Sequence, residues 1–272
     1  MGKSARQLLW LLKRMSGHSF CINERKHPRS LAAQLQPITN FGPNKSNTKM
    51  FIYEPKDLPA NPAIVVGIHY CTSTAQKYYN SNPGLHRLAD QKNGGCWDVS
   101  SRATLKRDGG ADSNGIAEMV RWAVDKYSAD KGRVFISILA ATYPYLFTAI
   151  INCSGVAAGC FFTDSVADWN STCSAGNIQA SPEWWAKWVL DAYPGYNGTR
   201  PRVQIYHGDS DTTIAPANIT TRLHSGRRER ADVPERGYTT LVFGELLRGV
   251  YAKGVGHGVP VHAEEDIKFF GL

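Results

Sequence analysis

Nowhere in these 272 residues does an apolar run reach the roughly 20 positions needed to span a bilayer, so no transmembrane helix is expected. There is no Cys-x-x-Cys and no pair of histidines one helical turn apart, which removes the usual zinc frameworks. A metal reading would have to use His207, Asp209, Asp211 and His257, and none of them has such a partner, so no metal is expected. No internal repeat is visible. The chain also lacks Gly-x-Ser-x-Gly, the strained turn from strand to helix that exposes a serine nucleophile.

What remains is ordinary for a soluble globular enzyme: 42% hydrophobic, 20% charged, and one good-sized core. The formal charge of +8 is not spread over the chain. Residues 1–30 hold seven Lys and Arg against one Glu, and residues 222–236 hold five Arg against three acids, which accounts for all of it. A nucleic-acid binder carries its basic residues on a folded face, whereas these sit in two poorly patterned segments; no nucleic-acid partner is expected. The start has a basic opening and a short apolar run, Leu8 to Leu12, closed by Lys13-Arg14, and makes a poor secretion signal. Six cysteines and the sequons at Asn44, Asn152, Asn170, Asn197 and Asn218 together favour an oxidising, extracellular setting.

Residues 1–35 read as a degenerate signal-like tail and 36–272 as one domain. Met50–Tyr53 is a strand candidate, and Ala63–Tyr70 is a near-continuous apolar run of the kind covered on both faces in a parallel sheet. Thr74–Tyr79 and Leu85–Lys92 are short helix candidates. Ser113 is the expected N-cap of a helix from Asn114 to Tyr127, with Ile116, Val120, Ala123, Val124 and Tyr127 on one face. Val134–Ile136 reads as a buried strand passing straight into a helix over Ile138–Leu146. Ala149–Cys153, Arg202–Tyr206 and Leu247–Lys253 complete the strands, and 222–236 is charged and shows no period. The order predicts an α/β protein with a mostly parallel sheet flanked by helices.

In such sheets reactive groups gather beyond the carboxyl ends of the strands. Three strand ends carry them: His69-Tyr70-Cys71-Thr72, His207-Gly208-Asp209-Ser210-Asp211 and Gly256-His257-Gly258. An acid after a late strand and a histidine after the last one match the second and third members of a serine-hydrolase triad. The carboxylate fixes the imidazole tautomer, and the imidazole takes the proton of an otherwise weak hydroxyl nucleophile. Asp211 and His257 are the candidates; Asp209 competes for the acid role, and His207 positions the acid loop. Of the serines, Ser113 has the wrong spacing, Ser154-Gly155 lacks the first glycine of the turn, and Ser137 stands at the right place in the topology with Ile138 after it.

Several blocks carry a resemblance: TNFGPN (39–44), IHYCTSTAQ (68–76), CWDVSS (96–101), DGGADSNGIAEMVRWA (108–123), AATYPYLF (140–147), SGVAAGCF (154–161), WNSTC (169–173), YPGYNGTRPRVQIYHGDSDTTIAP (193–216) and GVYAKGVGHGVPV (249–261). Over Gln36 to Leu272 they resemble the fungal acetylxylan esterases of carbohydrate esterase family 1, which are similar to feruloyl esterases and polyhydroxybutyrate depolymerases. The resemblance implies an α/β-hydrolase fold, a secreted monomeric glycoprotein, and a Ser-His-Asp triad that deacetylates xylan without a cofactor. It matches Asp211 and His257 to the family's acid and histidine, and Cys71 and Thr72 to the segment giving an oxyanion-hole amide. It makes Cys71–Cys96 and Cys160–Cys173 the implied disulfides, with Asn170, Asn197 and Asn218 as glycosylation positions.

The pattern breaks in four places. Residues 1–30 are not the family's signal peptide. Lys92 runs directly into Asn93, where the family has a further core strand and loop. Residues 220–244 replace a helix and loop, and VFIS joins ILAATYP without the glycine-rich nucleophile turn. The missing serine belongs between Ser137 and Ile138. The expectation is therefore an esterase of negligible activity as written. Two alternatives stand beside it: a feruloyl esterase, or a non-catalytic carbohydrate binder using Trp97, Trp184, Trp185 or Trp188, although the spacing of the last three also fits the apolar side of a helix.

Overall fold

The computed structural model describes residues 6–7, 10–12, 35–54, 58, 60–68, 75–76, 97–130, 134–135, 139–220 and 227–272. Its strands are β1 (Arg6–Gln7), β2 (Trp10–Leu12), β3 (Gln36–Ile38), β4 (Thr48–Ile52), β5 (Ala63–Val65), β6 (Val134–Phe135), β7 (Ala149–Cys153), β8 (Arg202–Gly208), β9 (Arg227–Ala231), β10 (Tyr238–Phe243) and β11 (Leu247–Ala252). The helices are α1 (Asp112–Tyr127), α2 (Ser171–Ser174), α3 (Pro182–Ala192), α4 (Ala217–Thr220) and α5 (Ala263–Phe270).

The main sheet has the order β2-β5-β6-β7-β8-β11-β10-β9. Its central five, β5, β6, β7, β8 and β11, are mutually parallel, with antiparallel pairs at both flanks. A small second sheet, β1-β4-β3, is not hydrogen-bonded into it but shares its core through Met50 and Ile52. Side chains alternate faces along a strand, and β5 shows both faces covered. Ile64 joins the cluster built on Ile116, Met119, Val120, Ala123 and Val124 of α1, whereas Ala63 and Val65 pack with Phe269 of α5. The unbroken apolar text of β5 is thus the signature of a strand between two helical layers, as in α/β folds.

Three sequence expectations change. Helix α1 begins at Asp112 with Ala111 as its N-cap, not at Ser113. The Ser113 side chain is buried in the first turn and donates to Thr104 O at 2.7 Å, so its hydroxyl satisfies a carbonyl outside the helix instead of capping it. Residues 139–146 form turns and a short 3-10 segment, Pro144–Leu146, not an α-helix. Pro144 removes an N–H and pushes Tyr143 out of the helical region, which the apolar spacing had concealed. The charged stretch 222–236 contains an edge strand, β9, and the neighbouring β10 was not anticipated at all. Thr74–Tyr79 is described only at Ala75 and Gln76, which are helical. Leu85–Lys92, Cys71, Thr72, Cys96 and the junction Ser137–Ile138 lie outside the described residues.

Below the carboxyl ends of β7 and β8, Cys160 and Cys173 form a disulfide with 5.5 Å between their Cα atoms. It packs with Phe161, Trp185 and Ile214 in one buried cluster. Opening it by a double substitution, Cys160→Ala with Cys173→Ala, is expected to lose about 3 kcal/mol, the value for a closed loop of this size. Chemical denaturation of the variant beside the parent measures it.

Candidate active site

The acid loop begins where β8 ends. His207 and Gly208 are the last residues of the strand, and Asp211 follows in a turn whose residues cannot continue the ladder. The Asp211 side chain is 0% exposed. One of its oxygens, Oδ1, accepts from the backbone N–H groups of Thr213 at 2.8 Å and Ile214 at 2.9 Å. The other, Oδ2, lies 2.9 Å from His257 Nδ1. Burial alone would raise the carboxyl pKa. The Ile214 amide, the His257 ring and the Thr213 amide outweigh it, so Asp211 is held below the ordinary carboxylate value. An ionised carboxylate only accepts, which puts the hydrogen of His257 on Nδ1 and leaves Nε2 as the basic nitrogen.

His257 stands after β11, on a loop between Gly256 and Gly258, and its side chain is 45% exposed. The two loops interlock. Ser210 N donates to Val255 O at 3.0 Å and Asp209 N to Ala252 O at 3.0 Å. Asp209, the competing acid, does not reach the imidazole: its Oδ1 accepts from Gly254 N at 2.7 Å and Ser210 Oγ at 2.9 Å. His207 is fully buried, and its Nε2 donates to Ile214 O at 2.9 Å, tying the ends of the acid loop together. Burial is the largest influence on that ring and keeps its pKa below the ordinary histidine value, so it is neutral. Gly208 is dictated by close approach. A Cβ there would sit 2.0 Å from Val255 O. Gly208→Ala is accordingly expected to push the histidine loop off the acid loop and to cost about 1–3 kcal/mol by overpacking. The loss should appear together in a thermal melt and in the His257 imidazole NMR signals.

Of the three candidate serines, Ser137 lies outside the described residues and the other two are engaged elsewhere. Ser113 is spent on Thr104 O, and Ser154 Oγ donates to His257 O at 2.7 Å. Among the described residues no hydroxyl stands against His257 Nε2. A cavity of about 340 Å³, lined in part by Tyr145, Thr148, Tyr196 and Arg200, opens at the amino ends of β7 and β8. That is the opposite edge of the sheet from the Asp211–His257 pair.

No protein-family model matches the chain. The probable acetylxylan esterase A of Neosartorya fischeri is 43% identical over 278 residues, covering 90% of this chain and 75% of that protein. Acetylxylan esterase A of Aspergillus awamori is 43% identical over 280 residues, covering 90% of this chain and 92% of its own. The chain belongs to the acetylxylan esterase family. A solved acetyl xylan esterase from Aspergillus awamori matches it with a TM-score of 0.82 at 42% identity, over 88% of this chain and 99% of that one. This acetylxylan esterase family member is shorter inside the match than its relatives. Nine-tenths of 272 residues is about 245, set against 278 aligned positions, so about 33 positions of the Neosartorya protein have no residue here.

The three expected glycosylation positions differ in exposure, and Asn218 is the most enclosed. Asn218 is 5% exposed, and its amide nitrogen donates to Cys173 O at 3.0 Å and Ala215 O at 3.2 Å. Asn170 caps α2, with Oδ1 accepting from Cys173 N at 3.0 Å and its amide nitrogen turned to Cys160 O and Phe162 O at 3.4 Å. Asn197 is exposed. Trp97 and Trp185 are core residues, Trp188 is partly buried, and Trp184 is 42% exposed.

Proposed function

We propose that this chain carries the acid and base of a serine esterase directed at acetyl groups on xylan, and that as written it does not complete the reaction. The single observation behind the first half is the 2.9 Å contact between a buried, ionised Asp211 and His257 Nδ1. In the full reaction a serine hydroxyl attacks the acetyl carbonyl while His257 Nε2 takes its proton; Asp211 stabilises the imidazolium that forms, and the same nitrogen then protonates the departing sugar hydroxyl. Water repeats the sequence to release acetate. Backbone amides near Cys71 and Thr72 would hold the oxyanion, and no cofactor takes part. The second half rests on the absence of Gly-x-Ser-x-Gly and on the internal shortening against the relatives. Acetate release from acetylated xylan, measured beside a His257→Ala variant, tests both; turnover that His257→Ala abolishes would show that a nucleophile is present after all.

The substrate comes from the relatives' names and the triad residues from the matched motifs. Residues 36–272 are the catalytic-type domain, acting as a monomer outside the cell, with Asn197 as the accessible glycan position. The Cys160–Cys173 disulfide favours that oxidising setting. A second reading, xylan binding without hydrolysis, has one observation in its favour: the open ring of Trp184. Retention of the chain on insoluble xylan, lost in Trp184→Ala, would support it.

A further inference from the structure

We propose that Ser154 is a positioning residue that clamps the backbone of His257 so that its ring stays on Asp211. Ser154 follows β7 directly, and its side chain donates to His257 O at 2.7 Å. Its own N–H donates to Tyr206 O in β8 at 2.8 Å, so the clamp is seated on the strand that also carries the acid loop. The residue is 6% exposed. The histidine loop needs such a clamp. Glycines flank His257 on both sides, a Cβ at Gly258 would meet nothing within 4 Å, and the imidazole is half open to solvent. Among the described residues, His257 O accepts from Val259 N at 3.2 Å within its own loop and from Ser154 Oγ outside it.

The backbone at Ser154 strengthens the inference. Its φ of 49° is in the left-handed region, where glycine would fit without strain and a residue with a Cβ does not. Among the described residues the Ser154 hydroxyl has one hydrogen bond, to the carbonyl of the proposed base. The sheet makes this possible: β7 and β8 are adjacent and parallel, so the residue after β7 lies beside the loops that follow β8 and β11. The inference rests on His257 being the base of the proposed site. Its test reads the ring and not turnover, so failure of the esterase reading would leave the result interpretable.

Two substitutions are made in the full chain, Ser154→Ala and Ser154→Gly. Both remove the hydroxyl, and the second also relieves the left-handed backbone, so a fold weakened by strain cannot account for a shared effect. The readout is proton exchange at His257 Nδ1 and the ring nitrogen shifts followed through pH by NMR, with buried His207 as the internal control. The expected result is exchange of the Nδ1 proton at least about tenfold faster in both variants, with unchanged His207 signals. Unchanged His257 Nδ1 exchange in either folded variant would overturn the proposal. Failure of both variants to fold would also overturn it, because Ser154 would then be a brace of the fold and not of the imidazole.

Discussion

Acetate release by the purified chain is expected to be no greater than that of its His257→Ala variant. Loss of a triad nucleophile lowers kcat by about 10⁶, and the acid and base cannot make up for it, because they act on a hydroxyl that must first be there. What survives is at most the binding and oxyanion contribution, about 10³ over water in enzymes stripped of their triads. The complementary experiment has the largest expected gain. Inserting between Ser137 and Ile138 the nucleophile-turn segment of the Aspergillus awamori relative should raise acetyl-ester hydrolysis by several orders of magnitude, on the order of the same 10⁶. A Ser→Ala change within the inserted turn should return it to background. No gain from a folded insertion would mean that the surviving pair is not the base of an esterase, and the proposed function would fall with it.

Asp211→Ala is expected to lower stability by about 3 kcal/mol at neutral pH, because it leaves two buried amides and the Nδ1–H of His257 without their acceptor. For a domain of this size that is a fall of about 10 °C in the melting midpoint. The sign of its pH dependence follows from the depressed folded pKa. The stabilising contribution is fully present above the unfolded carboxylate value, about pH 4, and is lost as pH falls through the lower folded value. Melts of parent and variant should therefore differ most from pH 5 upward and converge in strong acid. His207 adds a separate slope. It is neutral when folded and gains a proton when unfolded, so stability declines as pH drops below about 6.5.

Much of this was legible in the residues. The apolar runs at β5 and β7, the alternation in β8, and the face repeated at Ile116, Val120, Ala123 and Val124 are direct consequences of what each element buries. Asp211 and His257 were visible because they follow late strands, where an open sheet exposes its loops. Other features were hidden for physical reasons. Strand β10 carries Tyr238, Thr240, Leu241 and Val242 inward, but it lies between charged text and a glycine that mask its period. The turn at 139–146 has helical spacing that Pro144 overrides. Which acid meets the histidine was left open between Asp209 and Asp211; hydrogen bonds to Gly254, Thr213 and Ile214 decide it, and these come from loop geometry. The Ser154–His257 contact joins residues 103 positions apart, a distance over which no local pattern carries information.

The arginine-rich stretch that first looked like stray charge has a place in the architecture. As β9 it is the last strand of the main sheet among the described residues, with Glu229 and Arg230 exposed on it. A sheet rim offers unpaired amides and carbonyls to any passing strand, its own copies included. Two such molecules meeting rim to rim would bring together two strands whose sequence is net positive, so repulsion opposes the docking that hydrogen bonding invites. Neutralising those arginines should therefore change the colloidal behaviour of the protein well before it changes its chemistry.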